Sequence, residues 1–103
     1  EQKRQKLVEM KLSAELQGLA AKLDASGNYS SGNVVVSGGR VEVEIYLDNL
    51  DAGTLEALEK LGFKKSLDAP AVKMVMGSIA VSKLVDLVQV SAVRRVKAPN
   101  LMQ

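Results

Sequence analysis

Cysteine and histidine are both absent from the 103 residues. Their absence excludes Ser-His and Cys-His nucleophilic catalysis, imidazole or thiolate metal sites, c-type haem, iron–sulfur clusters and disulfides. Aromatics make up only 3%, namely Tyr29, Tyr46 and Phe63, so the core must be built from Val, Leu, Ile, Ala and Met. No apolar run approaches the roughly 18–20 residues of a membrane span. The eight glycines never form G-x-G-x-x-G or a phosphate loop, and no Ser lies three before a Lys, so nucleotide binding and Ser-Lys chemistry lack their signatures. Charge of one sign is also scarce: 14 Lys plus Arg against 12 Asp plus Glu leave a net +2, concentrated at the two ends, which is no nucleic-acid-grade basic field.

What is present is ordinary for one globular domain, with 47% hydrophobic and 25% charged residues. Composition therefore points to a small non-redox domain that is not an enzyme and needs no cofactor and no metal. A chain beginning at Glu1 rather than Met reads as processed or excised, with any leader lost from view. Lack of cysteine fits the cytoplasm or a bacterial exterior equally, so composition does not give the compartment.

Val8, Leu12, Leu16, Leu19 and Leu23 recur at helical spacing and predict an amphipathic helix over 3–24 with one buried stripe. The Ser-, Gly- and Asn-rich stretch 25–33 reads as a loop; its Asn28-Tyr29-Ser30 sequon matters only in a secreted eukaryotic protein. The period then changes to two. Val34-Val35-Val36, a Ser37-Gly38-Gly39 turn, and Val41, Val43, Ile45 and Leu47 alternating with Glu42, Glu44 and Tyr46 predict a half-buried strand and a partner. A helix follows, with Asp51 as N-cap, Leu50 and Leu55 as a hydrophobic staple, Leu58 and Leu61 on the same face, and Gly62 as its left-handed stop. Strands are predicted over 63–67, 72–79 and 92–97, the last ended by Pro99, with a short helix capped by Ser82 between the second and third.

From Val41 the order is strand, helix, strand, strand, helix, strand. That order predicts an α+β, ferredoxin-like split βαβ fold, a four-stranded antiparallel sheet with two helices on one face, preceded by the N-terminal helix. The chain divides into a helix and linker over 1–27, the domain over 33–99, and a tail over 100–103. In this fold the first strand already has a neighbour on each side, so Val34 to Val36 should pair only beyond the end of a neighbour, or extend the sheet elsewhere.

On the 72–79 strand, Val72, Met74, Met76 and Ser78 share one face and Lys73, Val75, Gly77 and Ile79 the other. With Val75 and Ile79 inward, Val72, Met74 and Met76 form an apolar stripe beside Tyr46. Such a stripe either awaits a partner or is plain core covered by other parts of the chain or a second copy. Arg94, Arg95 and Lys97 could meet phosphates or an acidic partner. RNA-binding domains of this fold need stacking aromatics on their central strands, and 72–79 has none, so nucleic acid is set aside and the charges read as a solvated edge. Asp48, Asn49 and Asp51 do not combine with a Gly and a distant Glu at the spacing that a complete calcium loop requires, and they read as a helix start.

Four segments carry a resemblance to a known family: Val41-Glu42-Val43-Glu44-Ile45-Tyr46-Leu47, Leu55-Glu56-Ala57-Leu58-Glu59-Lys60-Leu61-Gly62, Gly77-Ser78-Ile79-Ala80-Val81-Ser82-Lys83-Leu84, and Ala92-Val93-Arg94-Arg95-Val96-Lys97-Ala98-Pro99. Together with Lys11-Leu12-Ser13-Ala14-Glu15-Leu16 and the Gly39-Arg40-Val41 turn, they resemble the propeptide-like domains of secreted subtilisin-type serine proteases over nearly the whole chain. A strand running into V-x-x-L-x-x-L and a later V-x-x-V-x-x-P strand are the telling parts. Where the family usually has Pro before the second helix, this chain has Ala80.

The resemblance implies a non-enzymatic inhibitor, folding chaperone or recognition module for a subtilisin-type protease, secreted or periplasmic, whose partner is that protease module, possibly in the same precursor. It implies a protein-binding surface of Tyr46, Val72, Met74 and Met76 on the open sheet face, and of Ala98, Pro99, Asn100, Leu101 and Met102 in a tail that lies in the substrate cleft. The alternative is a regulatory or oligomerising ferredoxin-like module that binds a small molecule or protein partner, using the turn over 48–53. An acylphosphatase-type enzyme lacks its Arg in the loop after the first strand.

Overall fold

Alternating apolar and polar side chains dictate the centre of the molecule. In the computed structural model, which describes residues 2–32 and 34–99, strand β3 (Arg40–Leu47) turns Val41, Val43, Ile45 and Leu47 fully inward. Antiparallel to it along nearly its whole length runs β5 (Met74–Ala80), with Tyr46 opposite Met74 and Arg40 opposite Ala80. On the far side of β5 lies β4 (Lys64–Ala69), and on the other side of β3 lies β6 (Val93–Lys97), both antiparallel.

The sheet has six strands, not four. Residues 25–33, expected to be loop throughout, contain β1 (Tyr29–Ser31), which forms a hairpin with β2 (Val34–Ser37). The β2 strand bonds to β3 only at Arg40 and Val41, while β6 bonds to the same edge from Glu44 onward. The hairpin thus meets β3 beyond the end of β6, and the sheet continues outward from there. The loop before β1 is laced by side chains: Asp24 Oδ1 accepts from the Ser26 and Asn28 amides, and Asn28 Oδ1 accepts from the Gly38 amide at 2.9 Å.

The N-terminal stripe is buried as its spacing demands, but only its first part is α-helical. Helix α1 (Gln2–Lys11) ends where Leu12 makes a parallel bridge to Val96 and the Ser13 amide donates to the Val96 carbonyl at 2.9 Å. Two 3-10 turns follow (Ala14–Leu16 and Leu19–Ala21), separated by Gly18 in the left-handed region at φ 72°. Pairing with β6 and the left-handed glycine together outweigh the helical periodicity. Val8, Leu12, Leu16 and Leu19 join the same buried cluster as the sheet.

Helix α2 (Ala52–Lys60) starts after Asp51, whose side chain makes no capping bond. Asn49 instead braces the turn into the helix, its Oδ1 accepting from the Asp51 amide at 3.1 Å and from Thr54 Oγ1 at 2.6 Å. The helix ends in a Schellman turn: the Gly62 amide donates to the Glu59 carbonyl and the Phe63 amide to that of Leu58, with Leu58 and Phe63 both buried. Gly62 stands at φ 90° with open space around a would-be Cβ, so Gly62→Ala costs backbone energy alone, about 1 kcal/mol. A urea titration should show the midpoint fall with unchanged slope; an unmoved midpoint would mean the helix does not end this way.

Helix α3 (Leu84–Val88) follows a 3-10 turn (Val81–Lys83) in which Ser82 makes no capping bond, contrary to its expected role. The turn inserts between strand and helix because β5 ends at Ala80 and the Val81 amide is taken by the Gly39 carbonyl at 2.8 Å. Arg40 ties α2 to the sheet, its Nη2 donating to the Gly62 and Ser78 carbonyls, each at 2.8 Å.

Candidate functional site

The two sheet faces differ. One is buried in the common core, and the other carries Arg40, Glu42, Glu44 and Tyr46 from β3 with Met74, Met76, Ser78 and Ala80 from β5. Pairing across four strands sets two rows on this second face. Arg95, Tyr46, Met74 and Ala69 make one; Lys97, Glu44, Met76 and Leu67 make the other. The face is therefore apolar toward β4 and cationic toward β6. Tyr46, Met74 and Met76 are half-buried and Leu67 is 55% exposed.

Glu44, 8% exposed, is the polar centre of the face. Tyr46 donates its hydroxyl to Glu44 Oε1 at 3.3 Å, and Lys97 Nζ stands 4.0 Å from the same oxygen and 5.5 Å from the centre of the Tyr46 ring. Lysine, tyrosine and glutamate thereby hold one another in place.

The cationic side is built by a β-bulge. Tyr46 lies opposite Arg95 and Leu47 opposite Val93, so Arg94 is an extra residue in β6. Val93 and Val96, three apart, both reach the core, and Arg94 and Arg95 both remain outside. Beyond the end of β3, a 3-10 turn (Pro70–Val72) delivers Lys73, the one non-glycine residue with positive φ among those described, at 55°. The Lys73 carbonyl accepts the Leu47 amide at 2.8 Å, and the Ala92 carbonyl accepts the Asp48 amide at 2.8 Å, which clamps this end of the sheet. Between the two clamps lies a groove of about 630 Å³ lined by Tyr46, Leu47, Ala71 and Val72 and by four cations: Lys73, Arg94, Arg95 and Lys97. Asp48 Oδ1 lies 3.6 Å from Arg94 Nε, both side chains well exposed, a pair of little energetic weight.

The structure brings together Tyr46, Met74 and Met76 as the spacing foretells. Val72 belongs to the 3-10 turn rather than to β5, is 59% exposed, and lines the groove instead of the methionine stripe. Proline at position 70 starts that turn and delays β5 to Met74. Ala98, 4% exposed, and Pro99 are buried, so neither is available to lie in a cleft; Asn100, Leu101 and Met102 fall outside the described residues. Arg95 and Lys97 are not an edge: Leu12 and Ser13 line the outer side of β6, and the two cations flank Tyr46 and Glu44 on the sheet face. Leu67 and Lys73 were not foreseen. The sequence signal for the paired arginines was the Val93-x-x-Val96 spacing, which no regular strand satisfies with both valines inward.

Among the described residues, no group of three or more metal-ligating side chains forms, and no helix is long and apolar enough to cross a membrane. No family model matches the chain, and no curated protein and no solved structure matches it either.

Proposed function

We propose that this chain is a non-enzymatic, propeptide-like module of an exported protein that binds a protein partner through the open face of its sheet, the partner being a subtilisin-type protease module. The observation that carries the reading is the half-buried Tyr46, Met74 and Met76 beside exposed Leu67, an apolar surface aligned across β3, β5 and β4. Contiguous apolar surface of this kind marks interaction sites, and methionine adapts to a partner's shape. The segment resemblance supplies the class of partner. Within the six-stranded sheet, β4-β5-β3-β6 with α2 and α3 supports a ferredoxin-like split βαβ unit, to which the β1–β2 hairpin is an addition.

The test is residual peptide hydrolysis by a subtilisin-type protease titrated with three forms of the domain. The full chain should inhibit. Met74→Thr combined with Met76→Thr should weaken inhibition more than tenfold while a cooperative melt is kept, because threonine suits a strand and adds no charge opposite Glu44. A chain truncated after Pro99 separates the tail from the face and keeps the buried Ala98 and Pro99. No inhibition by the full chain, or its rapid digestion as a substrate, would sink the inhibitory role.

A further inference from the structure

We propose that the groove at the Tyr46 end of the sheet binds an acidic peptide segment, with carboxylates flanking an apolar side chain, and that Lys73 and Arg95 are the residues that recognise it. The assignment, which rests on the protein-binding reading of the adjoining face, gives that partner a chemical signature. Of the four cations lining the groove, Arg94 has Asp48 beside it and Lys97 has Glu44. Among the described residues, Lys73 and Arg95 have no carboxylate partner. The groove thus carries two uncompensated positive charges above a partly apolar lining of Tyr46, Leu47, Ala71 and Val72. A bare phosphate would satisfy the charges and waste the lining; a peptide with acidic and apolar side chains uses both. The volume, about 630 Å³, falls within the roughly 300–1,000 Å³ of ligand sites.

Two backbone features aim these side chains. The bulge in β6 places Arg95 level with Tyr46 while Arg94 also stays outside. Lys73 occupies a left-handed conformation in which glycine is the default, and it is held there by its carbonyl's bond to Leu47. A strained conformation kept by a long cationic side chain at the mouth of a cationic groove points to use of that side chain. Nucleic acid fits less well. Tyr46 is the groove's sole aromatic and Lys97 already sits over its ring, whereas single strands need free stacking faces.

A fluorescein-labelled peptide Asp-Glu-Leu-Asp-Glu, its amide counterpart Asn-Gln-Leu-Asn-Gln, a short oligothymidylate and inorganic phosphate form the probe set, read by anisotropy and competition on the full chain. The acidic peptide should bind at least tenfold tighter than the amide peptide, with affinity falling as salt rises. Arg95→Gln and Lys73→Gly should each weaken it roughly tenfold or more, the loss expected for one charge-assisted contact. Lys73→Gly removes the side chain where the backbone favours glycine, so it should melt no lower than the parent, and its loss of binding reports recognition rather than unfolding. Equal binding of the two peptides, no binding of either, or full affinity in both variants would overturn the proposal. Tighter binding of the oligothymidylate would give the groove to nucleic acid, and displacement by phosphate at the peptide's own concentration would reduce it to a simple anion site; both also overturn it. Peptide binding without protease inhibition would discard the protease and keep the groove, while inhibition without peptide binding would do the reverse.

Discussion

Gly77→Ala should lower the thermal unfolding midpoint by roughly 12–24 °C, the largest effect expected of any single methyl group in this chain. Gly77 lies in the middle of β5 with Val43 opposite on one side and Lys65 on the other. An added Cβ would run into the Lys64 carbonyl oxygen and meet the Phe63 ring at 2.8 Å. The oxygen belongs to backbone already committed to the β4–β5 pairing, so it cannot swing aside as the end of a flexible side chain would. Relief requires β4 to shift against β5 or Phe63 to leave its buried site, an overpacking cost of about 3 kcal/mol. At about 4–8 °C per kcal/mol for a domain near this size, the midpoint falls by the stated amount. Gly53→Ala is the matched control. Gly53 is within α2, has nothing within 4 Å of a would-be Cβ and no positive φ, so alanine there should stabilise by about 0.5–1 kcal/mol. Melts that rank the two variants the other way would show that β4 does not cross Gly77 as described.

Leu87→Ala should cost about 2–5 kcal/mol, a large part of the roughly 5–15 kcal/mol that holds a domain together. Its host helix α3 has five residues, too few to persist in water on their own. What keeps it helical is the burial of Leu84, Leu87 and Val88 against α1 and β6. Removing the fully buried Leu87 side chain leaves a cavity and withdraws the support of both α3 and the short, strongly polar α1 that lies on it. Hydrogen exchange is the sharper readout. Amides of α1 and α3 should lose protection before those of β3 and β5, since the loss is local to one side of the molecule. Uniform loss across the sheet would mean that α3 is part of the same cooperative unit as the central strands.

How much of this was legible in the sequence depends on how local the determining forces are. The inward alternation of Val41 to Leu47, the glycine stop at Gly62 and the side on which Met74 and Met76 lie are set by period and turn chemistry, and all are found where the pattern puts them. The stripe from Val8 to Leu19 shows the limit. Spacing gave its buried side correctly, but the chain leaves the helix after Lys11 because a distant strand, β6, offers Leu12 and Ser13 backbone partners. The β1 strand was hidden for a similar reason: only Tyr29 of its three residues has intrinsic strand character, and Ser30 and Ser31 extend with it because the Val34–Ser37 strand pairs with them. The methionine and tyrosine surface could be read from alternation. The groove could not, since it needs a bulge at Arg94 and a turn at Pro70 to converge from two separate parts of the chain.

The edge of β3 that β2 and β6 share is a finite resource with two claimants. Continuing the β6 register past Lys97, which stands opposite Glu44, would set Ala98 against Val43 and Pro99 against Glu42, one step short of Val41, where β2 is already bonded. Proline has no amide hydrogen to offer a ladder, so the chain itself calls a halt at that point. The boundary between the two strands is thus written into a single residue. An insertion that lengthened β6 could win its extra rungs only by evicting the hairpin.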